Sequence, residues 1–503
     1  MTRPRNLGCV FAAHAGSDRP AVIDLFDPDR PRTLSHRELD RACGAMAAGL
    51  AARGLGRGDR VAICALNRLE YLVALFGAMR AGCVPVMVNI KLPAETIRFI
   101  VADSGAQIVF ADGDFAFDPP DGVAPVSFDD AGWRAFATPD PVPAAVPEPG
   151  DIAEQPYTSG STGRPKGVLL DHAGQCWMID RLVETRALRP DDASVISAPL
   201  YHKNALLAVK SALAAGGAIV LFARFDARRY IRAIGQYGLT MLTGVPTMYA
   251  LILQEAELLR ETDLSSVRAC SMGSAPASDN LLDSLAATFP DAALNLNYGI
   301  TEGGPILFSW KHPDGLARPR MTVGYPIDGV EIRLVGGPDA DSGTLHVRSP
   351  GVMAGYHNLP DDTARVLADG WLDTGDVLSR DADGWYYFVG RVDDMFVTAG
   401  ENIYPGAVEA MLERHPDIMQ AVVVPAPNAL KAHVPVAFVV ARAGAGMDED
   451  AVKRHALANG PAYAHPRRVF FVDALPLSGT NKIDRRALQG RAAAQARESG
   501  TAG

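Results

Sequence analysis

The residues Tyr157-Thr158-Ser159-Gly160-Ser161-Thr162-Gly163-Arg164-Pro165-Lys166-Gly167-Val168 combine closely spaced glycines, a run of hydroxyls and a lysine. Glycines let a backbone turn tightly and approach a ligand. Successive free N–H groups in such a turn make a nest for an anion. The hydroxyls add donors, and Lys166 adds a point charge suited to phosphate. The segment reads as a polyphosphate cradle. It lacks the G-x-x-x-x-G-K-[ST] spacing of a Walker A loop, so taken alone it fits a kinase, an ATPase or a transferase.

Further clusters carry chemistry. Pro199-Leu200-Tyr201-His202-Lys203-Asn204 and Tyr298-Gly299-Ile300-Thr301-Glu302-Gly303-Gly304 each follow an expected strand. Gly370-Trp371-Leu372-Asp373-Thr374-Gly375-Asp376 is expected to put two aspartates in a tight turn. Gly390-Arg391-Val392-Asp393-Asp394 stands where the composition changes, and Ser478-Gly479-Thr480-Asn481-Lys482 places one lysine in a late loop.

These groups need a scaffold. Ser35 reads as the N-cap of a helix whose apolar residues recur through Leu50. Strands over 60–64, 84–88 and 108–110 alternate with helices over 70–80 and 94–103. That rhythm predicts a mostly parallel sheet flanked by helices. Residues 117–150, rich in proline, alanine and acid, read as a surface connection. Strands resume over 194–199, 218–222 and 239–242. Near Val330 the pattern changes: residues 332–335 and 344–348 alternate like antiparallel strands of a small β-subdomain. Beyond Arg391 a shorter α+β pattern follows, with helices over 406–415 and 448–458 and strands over 421–424, 436–440 and 468–471. The expected organisation is α/β: a large domain over 1–390, a hinge over 391–394, a small mobile α+β domain over 395–490 and a frayed tail over 491–503.

The 503 residues carry a net charge of −10, which argues against a nucleic-acid surface. The 6 cysteines include no C-x-x-C pair, so neither zinc nor a disulfide framework is expected, and a reducing cytoplasm fits. The apolar run after Arg5 is short and broken by His14, unlike a signal peptide. No uninterrupted apolar stretch is long enough to cross a membrane.

Together, in this order, the six motif segments resemble the adenylate-forming superfamily over about residues 20–490. Gly390–Met395, Gly400-Glu401-Asn402-Ile403-Tyr404-Pro405 and the Asn481-Lys482 pair are most similar to bacterial aryl-CoA ligases of the benzoate and 4-chlorobenzoate type. The resemblance implies ATP, Mg²⁺ and coenzyme A: a carboxylic acid becomes an acyl adenylate, and a thiol then displaces AMP. It implies that Thr158, Ser159, Gly160, Ser161, Thr162, Gly163 and Lys166 hold the β- and γ-phosphates. Thr301 meets the α-phosphate, and Glu302, with Thr162, holds the metal. Gly273, Ser274, Ala275, Asn297, Tyr298 and Gly299 frame the nucleotide. Asp376, aided by Arg391, accepts from the ribose diol. Lys482 stands between the two reacting anions. Asp393 is the pivot that exchanges Lys482 for the Gly400-Glu401 loop.

The implied acid pocket comprises His202, Lys203, Asn204, Ala208, Asn297, Gly299 and Pro305, with Gly273 and Ala275 beside it. Relatives usually carry apolar groups where Lys203, Asn204 and Asn297 stand. Three polar groups in a dehydrated pocket are costly unless something satisfies them, so either the acid carries a second polar or anionic group, or Lys203 faces solvent or pairs with an acid. No aspartate lies near Tyr201-His202 to bind an α-amine, which argues against amino acids. Relatives have Gly-Glu-Leu where this chain has Gly343-Thr344-Leu345, in scaffold. The chain is expected to act as monomer or homodimer on a small-molecule acid, with coenzyme A or a carrier-protein thiol as acceptor.

Overall fold

The computed structural model describes residues 5–113, 117–129, 131–137, 140–159, 164–273, 277–304, 306–398, 401–428, 431–442, 444–476 and 483–500. Ser35 caps the helix His36–Ala51 by accepting from Glu38 N, and Glu38 bonds back to Ser35 N, a reciprocal capping box. Such a cap is worth about 1 kcal/mol.

A seven-stranded sheet runs in the order Ala293–Asn297, Ala269–Gly273, Met241–Gly244, Ala193–Ile196, Ala218–Phe222, Pro20–Leu25, Arg32–Ser35. Its pairs are parallel except the last. A second, all-parallel sheet runs Val84–Met87, Arg60–Cys64, Ala106–Ala111, Ala124–Ser127. Central strands such as Val61, Ile63, Val195 and Val220 are wholly buried, as helix-covered parallel strands must be. In such sheets, ligands gather beyond the carboxyl ends of the strands. Here those ends lead into Tyr298 after Asn297, and into 197–204 after Ile196.

The β-subdomain is antiparallel as expected: Glu331–Val335, Ser342–Arg348, Leu367–Ala368, Trp371–Arg380 and Tyr386–Arg391 pair in one sheet. The small domain forms its own sheet from Glu401–Ile403, Phe396–Thr398, Ala432–Ala441 and Ile418–Asn428, with Arg468–Phe471 parallel to Ala432–Ala441.

Three expectations are corrected. Residues 117–150 are not only a surface connection: Ala124–Ser127 is a sheet strand, and the helix Ala131–Ala137 packs on His36–Ala51. Phe128, Trp133 and Phe136 are buried around Phe110, so three aromatics anchor a stretch whose average composition hid them. Asp373 and Asp376 lie on a strand, Trp371–Arg380, and not in a tight turn. Gly375 supplies a left-handed residue (φ 67°) and the register shifts between Val377 and Leu378, so a local irregularity turns the strand. The tail is helical over Arg485–Gly500. Its alanines favour helix, Leu488 and Ala492 are buried against the small-domain sheet, and Arg485 forms two bonds to Glu409, both 2.6 Å.

Candidate active site

After Asn297 the chain leaves the sheet and makes a short turn, closed by a bridge between Ile300 and Gly304, with half-buried Thr301 and Glu302 at its tip. Two hydrogen-bonded groups form around it. Glu302 Oε1 accepts from Thr158 Oγ1 (2.9 Å) and from Tyr356 Oη (3.3 Å). Thr158 belongs to the hairpin Tyr157–Ser159/Pro165–Asp171 that carries the glycine loop, so the loop begins beside Glu302. Among the described residues, nothing donates to Glu302 Oε2. Lys166 Nζ pairs with Asp362 Oδ2 at 2.8 Å and stands 5.1 Å above the Tyr356 ring.

The second group centres on Asp376. Tyr298 Oη donates to Oδ2 (2.6 Å) and Arg391 Nη1 to Oδ1 (2.7 Å). Burial pushes the Asp376 carboxyl up from its ordinary range, while Arg391 and Tyr298 pull it back. Asp373 is spent locally, accepting from Gly375 N at 2.9 Å.

The third group is the expected acid pocket. Gly273 ends its strand so close to its neighbour that a Cβ there would lie 3.2 Å from Asn297 O and 3.8 Å from Asn204 Nδ2. Gly273, Asn297 and Asn204 thus meet at one place, and a side chain at 273 would press tightly on the strand beside it. Asn204 and Ala208 are half-buried on the helix Lys203–Ala214, one turn apart. His202 precedes that helix, its ring edge-on to Tyr201 at 4.7 Å.

Lys203 is not a pocket cation. Its Nζ turns into the protein, pairing with Glu154 and donating to Gln175 Oε1 (2.6 Å). Lys210, two turns on, pairs with the same carboxylate. All three are buried. Burial lowers the affinity of both amines for a proton, Lys210 to about 7. One carboxylate cannot balance two ammonium groups, so burial and their mutual repulsion both oppose protonating the pair. Of the alternatives open at the sequence level, pairing with an acid is the one found.

Several residues were missed. Tyr356, Asp362 and Glu154 reach the site through folding and carry no local motif. Arg186 and Trp310 border Asn297: its Oδ1 accepts from Arg186 Nη2 (2.9 Å) and from Trp310 Nε1 (3.2 Å). Arg186 follows Ile179 by seven residues and Leu182 by four, continuing the buried face of the helix His172–Thr185. A charge on an apolar stripe is the signal that could have found it.

Asp393 lies in an exposed turn between the β-subdomain and the small domain, and Glu401 of the small domain opens a strand, also exposed. Asn280 of the large domain donates to the main-chain oxygens of Glu413, His415 and Ile418 at 2.8, 3.3 and 3.2 Å. Gly160, Ser161, Thr162, Gly163, Ser274, Ala275, Pro305, Gly400 and Lys482 lie outside the described residues. No helix among the described residues is long and apolar enough to cross a membrane.

Residues 11–357 match the AMP-binding enzyme family and residues 407–482 the AMP-binding enzyme C-terminal domain. A feruloyl-CoA synthase of Amycolatopsis sp is 34% identical over 90% of this chain and 92% of its own. A fatty acid–[acyl-carrier-protein] ligase of Streptomyces coeruleorubidus is 32% identical over 92% of each. The crystal structure of ATP-bound MatB from Rhodopseudomonas palustris superposes with a TM-score of 0.86 at 27% identity, covering 97% of this chain and 99% of that one. Two matched family domains, the fold and the grouping of Thr158 with Glu302 and of Tyr298 with Asp376 lead to one assignment: the chain is an AMP-binding enzyme of the adenylate-forming superfamily, in its acyl- and aryl-CoA ligase branch.

Proposed function

We propose that the enzyme joins a carboxylic acid to coenzyme A in two steps. An acid oxygen attacks the α-phosphorus of ATP, and the bond to pyrophosphate breaks. The coenzyme A sulfur then attacks the acyl carbon, and AMP leaves with the carbon–oxygen bond electrons. The observation that carries this reading is that three groups of different chemistry adjoin one strand end: Thr158 with Glu302, Tyr298 and Arg391 with Asp376, and Asn204 with Gly273 and Asn297.

In this reading the loop beginning at Thr158 receives the β- and γ-phosphates, and Lys166 leaves Asp362 to join them. Thr301 bonds the α-phosphate, and Asp376, held by Tyr298 and Arg391, accepts from both ribose hydroxyls. His202 walls the carboxylate side of the acid pocket. Lys482 neutralises the meeting anions in adenylation; rotation about Asp393 then replaces it with the Gly400-Glu401 loop for thiol attack. Magnesium fits the donors: Glu302 Oε2, without a donor among the described residues and beside a phosphate loop, suits a hard cation that keeps few protein ligands. When bound, it supplies charge neutralisation on the phosphates.

The acid is aryl or short- to medium-chain, with a second polar group, since Asn204 and Asn297 both lie next to Gly273. A second reading, transfer of the acyl group to a carrier protein, is favoured by the similarity to the fatty acid–[acyl-carrier-protein] ligase. The test is acid-dependent AMP release across aryl, aliphatic and dicarboxylic acids, with coenzyme A and carrier protein as alternative acceptors. Thioester on coenzyme A is the expected product. Product on carrier protein alone overturns the acceptor, and no acid-dependent AMP overturns catalysis.

A further inference from the structure

Arg186 is a half-buried cation with no carboxylate partner among the described residues. Among the described residues no carboxylate lies within ion-pairing distance; Glu184, its neighbour in sequence, is taken by Arg181 at 2.8 Å. Among the described residues its guanidinium makes one hydrogen bond, the 2.9 Å contact to Asn297 Oδ1, and lies 4.8 Å from the Trp310 ring centre. Other enclosed arginines are compensated. Arg68 meets Glu70, Asp112 and Asp129; Arg80 meets Asp40; Arg485 meets Glu409. Arg318 has no carboxylate but donates to the main-chain oxygens of Leu294, Leu296 and Thr322 and to Asn295 Oδ1. Desolvation alone pushes Arg186 down, to about 9. Part of its surface stays reachable, so it borders open space and is not sealed in the core.

A desolvated charge without a partner is costly, and a guanidinium's planar fork matches a carboxylate's two oxygens. Its contact, Asn297, is the residue that meets Gly273 and Asn204 in the acid pocket. We infer that the acid this enzyme prefers carries a second carboxylate, and that Arg186, oriented by Asn297 and Trp310, is the residue that reads it. The inference rests on the ligase reading and deepens it. It also moves the source of anion specificity from Lys203, which is paired with Glu154, to Arg186, which donates to Asn297 Oδ1.

The experiment compares matched acids, pentanoate with glutarate and benzoate with its monocarboxylated derivatives, by kcat/KM for AMP release. The expected wild-type preference for the dianion is at least tenfold. Arg186→Met should lower kcat/KM for the dianions by about a hundredfold, mostly through KM, while monoacids hold or improve. Arg186→Lys, which keeps charge but loses the fork, should recover part of the loss. Binding is read independently by thermal shift: glutarate with ATP raises the wild-type melting temperature, and Arg186→Met abolishes that shift while the unliganded variant melts no lower. A wild-type preference for monoacids, or equal loss for both classes in Arg186→Met, overturns the inference while leaving the ligase reading intact. Absence of AMP release from any acid overturns the ligase reading itself.

Discussion

Replacing Glu154 by glutamine should damage the enzyme far more than replacing Lys203 by methionine, although the two touch each other. Glu154, Lys203 and Lys210 form a buried group with one negative and two potentially positive side chains. Removing Lys203 leaves Glu154 still paired with Lys210. The loss is the hydrogen bonding of one amine, including its 2.6 Å bond to Gln175, or about 1–3 kcal/mol. Removing the carboxylate leaves two buried amines with no counter-charge, a cost of about 3–5 kcal/mol. For a domain this large each kcal/mol moves the melting temperature by about 2 °C or less, so the expected falls are a few degrees for Lys203→Met and up to about 10 °C for Glu154→Gln. The pH dependence separates the two further. Lys210 is lowered to about 7 by burial, below its unfolded value of 10.5. Between those values the unfolded chain binds more protons than the folded one, so stability rises with pH across that window, by about 1.4 kcal/mol per unit for one lysine. Below pH 7 this contribution levels off. Thermal melts of wild type and both variants from pH 6 to 9, with acid-panel kinetics on Lys203→Met, make the assay. Equal destabilisation by the two substitutions, or an altered acid ranking in Lys203→Met, would refute the reasoning, the second because it would put the Lys203 charge back in the pocket.

The remaining predictions concern the nucleotide and the two half-reactions. Tyr298→Phe removes a 2.6 Å bond to a buried carboxylate; at about 1.5–3 kcal/mol for a charge-assisted bond the KM for ATP should rise roughly 10- to 100-fold, and an unchanged KM would count against Asp376 as the ribose acceptor. Because Tyr298 holds Asp376 ionised against burial, the acid limb of ATP binding should move to higher pH in the same variant. Lys482→Ala should abolish pyrophosphate exchange yet leave thiolation of a supplied acyl adenylate within a few-fold of wild type; equal loss of both steps would contradict the two-orientation scheme.

Much of the architecture was legible in one sequence, because strong periodic signals report local burial. The strand at Arg60–Cys64, the Ser35 N-cap and the strand at Arg468–Phe471 all fall where the sequence pattern put them. What escaped was set by neighbours. Composition over residues 117–150 averaged away three aromatics that the fold gathers on Phe110. Glycines around Asp373 and Asp376 suggested a turn, but pairing with Ser342–Arg348 extends the segment as a strand, with Gly370 left-handed before it and Gly375 left-handed within it. The alanine-rich end looked like a tail until a sheet stood beside Leu488 and Ala492.

Of the site, the sequence by itself determined the chemical inventory: a glycine and hydroxyl loop, a Thr-Glu turn after a strand, an aspartate followed by an arginine, and a late lysine. Residue type and order suffice for that, because each group's chemistry is its own. Only the tertiary structure decided partners. It turned Lys203 inward to Glu154, a residue 49 positions earlier, and set Arg186 beside Asn297 with no acid partner among the described residues. Whether a charge is available to a substrate depends on what lies within a few ångströms of it, and that distance exists only once strands far apart in the chain lie side by side.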